Sequence, residues 1–143
     1  MSHVAKIKAE IKDLKALKNT CDRMGWQFKE NQKSYKWYGR HIGDYPMPEG
    51  LTQNDLGKCD HAISVPNCNY EIGVVKNKLN GGKTYDLLWD FFDSSLKLAM
   101  GGDTAPKLVQ AHTIEAGKIA ARKKGLTFKE VIFEDKIRLA VNF

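Results

Sequence analysis

The run RMGWQFKE at 23–30 returns near the other end of the chain as KKGLTFKE at 123–130, so that Gly-x-x-Phe-Lys-Glu begins at Gly25 and again at Gly125. What flanks each copy sets the fold. Before the first, Leu14, Leu17, Cys21 and Met24 recur about every 3.5 residues, with Lys12, Lys15, Lys18 and Arg23 largely off that stripe, the pattern of an amphipathic helix. Asp13 can cap its start, and Gly25 suits the left-handed position after its last turn. Trp26-Gln27-Phe28-Lys29-Glu30 then alternates with a period of two, so the motif falls on a helix-to-strand corner. The second copy has the same surroundings. Asp103 or Thr104 can cap, Pro106 suits a first turn, and Val109, His112, Ala116, Ile119 and Ala120 form the expected inner stripe of a helix ending at Gly125. The repeat therefore reads as a structural unit built twice, a pseudo-duplication, rather than as a chemical motif used twice.

Working outward, Val4, Ile7, Ala9 and Ile11 against Lys6, Lys8 and Glu10 predict a half-buried opening strand. At the other end, 126–130 and 136–143 alternate on either side of Glu134-Asp135, a closing hairpin. Between the halves, 39–57 is rich in Gly and Pro and reads as a long surface loop. Strands are expected over 61–65, 70–75 and 84–92, with a turn at Asn80-Gly81-Gly82. The predicted order is β-α-β-β-β-β-α-β-β: a single α+β domain, 1–143, with a mainly antiparallel sheet and two long helices on one face.

Composition narrows the function classes. No apolar stretch is long enough to cross a bilayer, and no secretory signal is read at the N-terminus, so the expectation is a cytoplasmic protein of a bacterium, plastid stroma or phage-infected cell, with no membrane partner. Three cysteines, Cys21, Cys59 and Cys68, fit a reducing compartment better than a disulfide framework. The net charge is +6, and residues 1–40 hold ten Lys or Arg against four Asp or Glu, whereas 41–143 hold thirteen of each. All of the excess is at the front, which favours an anionic partner.

The patterns that resemble catalytic ones fail on spacing. Asn80-Gly81-Gly82-Lys83-Thr84 ends like a phosphate-binding loop, but Asn77 stands where the earlier Gly belongs and a strand follows in place of a helix. His41, Cys59, His61 and Cys68 are four possible zinc ligands that lack the paired spacing of a tetrahedral site, and the Cys/His set shows no oxyanion loop. Asp86, Asp90 and Asp93 read as solvent-facing carboxylates, because a strand spreads the first two too far apart for one small ion. His112, on an apolar stripe, reads as a hydrogen-bonded core histidine. In KSYKWYGRH at 33–41, Tyr35, Trp37 and Tyr38 interleave with Lys36 and Arg40, which is either the inward face of a strand or a surface that stacks bases and holds phosphates.

Taken together, MSHVAKIKAEIKDLKALK at 1–18, MGW at 24–26, YEIGVV at 70–75, YDLLWD at 85–90 and LVQAHT, AARKKGLTF and KIRLAV within 108–141 resemble a family of small proteins: the conserved hypothetical plastid reading-frame proteins of algae and cyanobacteria, with relatives in other bacteria and in phages. The family is catalogued as a domain of unknown function, and the resemblance implies an accessory or adaptor role beside an AAA-type ATPase. It carries over no catalytic residue. This chain departs from the pattern in its longer 39–57 loop and in His112, where an aromatic residue is expected.

The leading expectation is a non-enzymatic binding or adaptor protein without a cofactor, in which Lys12, Lys15 and Lys18 and the aromatic-basic segment meet an acidic protein partner. The alternatives are a single-stranded nucleic-acid binding protein acting through Tyr35, Lys36, Trp37, Tyr38 and Arg40, and a small metal-dependent enzyme using His41, Cys59, His61 and Cys68. Homodimerisation through an exposed sheet edge is compatible with the pattern.

Overall fold

The structure is a computed structural model that describes residues 3–39, 46–133 and 136–142. Among the described residues, seven strands and two long helices stand in the expected order: β1 (Val4–Ile11), α1 (Leu14–Met24), β2 (Gln27–Lys29), β3 (His61–Ser64), β4 (Ile72–Lys76), β5 (Tyr85–Asp90), a short α2 (Ser94–Met100), α3 (Pro106–Lys123), β6 (Thr127–Phe133) and β7 (Lys136–Asn142). It is an α+β fold. The strands form two sheets instead of one. Five pair antiparallel in the order β1-β5-β4-β3-β2, while β6 and β7 pair only with each other. Because β1 and β2 are the two edges of the larger sheet, α1 must cross its whole width to join them.

Local chemistry explains the helix boundaries. The Asp13 carboxylate accepts the Lys15 N–H at 2.8 Å to start α1. At its end Gly25 takes φ +74°, and the Trp26 N–H returns to the Cys21 carbonyl at 2.9 Å, closing a Schellman-type end. Asp93 caps α2 in the same way as Asp13 caps α1, accepting from the N–H and the hydroxyl of Ser95. The expected caps Asp103 and Thr104 do not cap α3. Gly101 ends α2, and Ala105, at φ +52°, turns the chain straight into Pro106.

Each face of the five-stranded sheet has its own core. Ile7 and Ile11 of β1, Ile63 of β3, Ile72 and Val74 of β4, and Leu87 and Trp89 of β5 pack under Leu17 and Cys21 of α1, Leu96 and Met100 of α2, and Leu108 of α3. Each fully buried aliphatic side chain is worth about 2 kcal/mol, so this layer outweighs every surface ion pair in the molecule. Ala9 is only half-buried, because the β1–β5 register shifts between Ile7 and Ile11. On the opposite face Ala62 and Leu88 pack with Tyr35 and Cys59, and Trp37, Leu51 and Val75 close over them. Chain from either side of the 39–57 loop, whose described residues include one 3-10 turn (Gln53–Asp55), thus covers the second face.

The stripe expected to be the inner face of α3 is rotated from the observed one. Leu108, Ala111, Ile114 and Ala121 are buried, whereas Ala116 and Ile119 are half-buried and Ala120 is exposed. Both faces of this helix are apolar, so periodicity alone could not choose between them.

Candidate functional site

Residues 33–38 form a strap over the second sheet face, and its side chains sort themselves by burial. The Tyr35 ring lies against Gly73, where a β-carbon would stand 2.4 Å from a ring atom, and Trp37 lies against Gly57, where the gap would be 2.5 Å. Both glycines are needed because the rings occupy the space of a side chain. Tyr35 is only 3% exposed, so its ring is packing rather than a platform for stacking a base, and burial pushes its hydroxyl up to about 12. Ser34 is the only strap residue in a β-bridge, to Lys58, so the strap is not the strand that its alternation suggested.

Two buried carboxylates hold the strap. Glu71 accepts the Lys36 N–H at 3.1 Å and the side chains of Gln32 and Lys29 at 3.1 Å each, while its own N–H donates to the Lys36 carbonyl at 2.9 Å. Asp90, 0% exposed, accepts the Tyr38 N–H at 3.2 Å, the His3 N–H at 2.9 Å and the Phe92 N–H at 3.2 Å. Its expected solvent-facing position is therefore corrected: a buried carboxylate is tolerable only with such donors, and Asp90 is a structural anchor. Asp86 is also engaged, with Lys6 at 3.3 Å and Asn77 at 3.0 Å, and Asp93 serves as a helix cap.

With the aromatic rings turned in, Lys33, Lys36 and Tyr38 point outward. Lys58 joins them, since the Cys59 N–H donates to the Lys33 carbonyl at 2.9 Å. Lys33, Lys36 and Lys58 have no carboxylate partner among the described residues. Arg40, the last basic residue assigned to this segment, lies outside the described residues, as does His41.

The α1 lysines differ from one another. Lys15 is exposed and unpaired among the described residues, and Lys12 makes a loose contact with Glu10 at 3.6 Å. Lys18 is committed internally, bonded to Glu30 at 2.9 Å and lying over the Phe28 ring at 5.5 Å. The expectation that all three are free to meet a partner is corrected for Lys18.

The metal candidates among the described residues do not converge. No three His, Cys, Asp or Glu side chains come together in a metal-holding group among the described residues. Cys59 belongs to the second-face core and donates to the Gln32 carbonyl, with burial raising its thiol to about 12. His61 faces Phe28 and Tyr85, and its Nδ1 accepts the Asn31 N–H at 2.9 Å, which fixes the neutral Nε2–H tautomer. Cys68 is half-buried against the helix-side core, and desolvation raises its pKa as well. Asn80 to Thr84 lie in the β4–β5 connection, closed by the Asn77 N–H to the Thr84 carbonyl, with no helix N-terminus behind it.

Sequence reasoning missed two features. One is Lys58 beside Lys33, which no local pattern joins. The other is a four-residue ion network in which Arg23 of α1 and Lys118 of α3 both grip Glu115 and Glu130. Its sequence signal is a spacing: Lys118 precedes Glu130 by twelve residues, just as Lys18 precedes Glu30.

No family model, curated protein or solved structure matches this chain. Among the described residues, no helix is long and apolar enough to cross a membrane.

Proposed function

We propose that the protein is a non-enzymatic binding module that captures an acidic protein partner on the strap side of its sheet. The observation that carries this reading is the strap itself: its backbone is clipped at Tyr35, Lys36 and Tyr38 to Gly57, Glu71 and Asp90, while Lys33, Lys36 and the neighbouring Lys58 face solvent without carboxylate partners among the described residues. An anchored backbone spares the cost of ordering the segment on binding, so more of the interaction energy of its cations appears as affinity. The family resemblance makes an AAA-type ATPase a partner to look for, with this chain as its accessory, and a cytoplasmic setting goes with that reading.

Single-stranded nucleic acid is the second reading, favoured by Tyr38, which stands 37% exposed beside Lys36. A pair of charge reversals separates these ideas from bulk basicity. Lys33→Glu with Lys36→Glu should abolish retention on an immobilised acidic peptide, while Lys12→Glu with Lys15→Glu, an equal charge change on α1, should leave most of it. Equal losses in the two variants would reduce the binding to net charge and sink the strap. An immobilised oligothymidine run in parallel, with the salt slope recorded, tests the second reading.

A further inference from the structure

The apolar stripe that α3 does not bury lines a groove. Ala116, Ile119 and Ala120 of α3 and Ala16 of α1 wall a cleft of about 270 Å³, which is distinct from the strap. His112 also lines it, 6% exposed, and its Nε2 is buried without a hydrogen-bond partner among the described residues. An orphaned polar nitrogen in an otherwise apolar wall costs about 1–3 kcal/mol until something bonds it.

The rim decides the charge of the occupant. Lys12 and Lys123 stand against Glu10 and Asp13, so the four formal charges sum to zero and favour neither a cation nor an anion by net charge. Burial lowers the His112 pKa, which keeps the imidazole neutral at neutral pH. Size is decided by the volume, which lies just below the roughly 300 Å³ at which drug-sized sites begin.

We propose that this α1–α3 groove binds a small uncharged apolar molecule with a single hydroxyl, of the phenol class, its ring on the alanine and isoleucine wall and its hydroxyl bonded to His112 Nε2. A hydroxyl can donate or accept, so it satisfies that nitrogen in either tautomer.

The test is titration of the full chain with phenol and, separately, with toluene, followed by amide chemical shifts. Phenol should shift residues 112–123 and the start of α1 in a saturable way. Toluene, which has the ring without the hydroxyl, should bind about tenfold more weakly, as loss of one buried hydrogen bond predicts. Ala120→Leu fills the groove from an exposed position that the fold tolerates and should abolish the phenol shifts. Absence of saturable phenol binding, equal affinity for toluene, or undiminished binding by Ala120→Leu in a folded protein would each overturn the proposal.

Discussion

The two helix-to-strand corners are built alike and used differently. At both, a glycine in the left-handed region ends the helix, at φ +74° for Gly25 and +69° for Gly125. The next N–H returns five residues, Trp26 to Cys21 and Leu126 to Ala121, at 2.9 Å in each case. A cation covers each phenylalanine, Lys18 over Phe28 and Arg122 over Phe128. A lysine twelve residues upstream bonds each glutamate, at 2.9 Å for Lys18–Glu30 and 2.6 Å for Lys118–Glu130. Beyond the corner they part. The strand of the first copy joins the edge of the five-stranded sheet, while that of the second belongs to a separate hairpin. Geometry at a corner follows from its few residues, and its energetic weight follows from what it is packed against.

That difference gives the largest expected effect. Trp26 is buried in the helix-side core, so Trp26→Ala should cost about 3–4 kcal/mol, whereas the half-buried Leu126→Ala should cost about 1 kcal/mol, both read from denaturant midpoints. Equal costs would show that the second corner carries as much of the core as the first. The glycines test the shared half of the comparison. An added β-carbon meets nothing within 4 Å at Gly25 or Gly125, so each Gly→Ala change should cost about 1 kcal/mol from backbone strain alone, the same at both sites.

How much of this was legible follows the range of the interactions. The corner is closed by a backbone hydrogen bond over five residues, so Gly25, Gly125 and the strands after them could be read directly. The same holds for the β6–β7 hairpin and for the seven strands with two long helices. The short α2 could not, since its seven residues span only two turns and are separated from a strand by only three residues, with Phe91 and Phe92 continuing that strand's apolar run. Nor could the separation of the hairpin from the main sheet, because pairing of β1 with β5 is a contact between residues some eighty positions apart. The strap shows the same limit. Tyr35 and Trp37 alternate like a strand, but what makes them core is Gly73 and Gly57, which only the fold brings beneath them. On α3 the failure was degeneracy: with two apolar faces, the sequence pattern chose the one that lines the groove.

The smallest effect separates the two glutamates. Glu130 is held by Arg23, which donates to both of its oxygens, the Nη2 bond measuring 3.1 Å, and by Lys118. The Arg23 and then the Lys118 hydrogen bonds lower its pKa from the ordinary 4.5 to about 2. A carboxylate depressed in the folded state adds stability above its unfolded value and loses it as pH falls through the folded one. Glu130→Gln should therefore cost about 1 kcal/mol at neutral pH, allowing for solvent screening of a side chain that is one third exposed. The deficit should hold down to about pH 5 and shrink to a small remainder near pH 2, where the native glutamate is itself half protonated. Glu30, lowered chiefly by its hydrogen bond to Lys18 on an open surface, should show no measurable change on conversion to Gln. Thermal melts of both variants across that range decide the point. If the Glu130→Gln deficit persists unchanged at pH 2, it comes from packing or from the uncompensated Arg23 and Lys118 charges, and the second corner is not tied to α1 by the glutamate's ionisation.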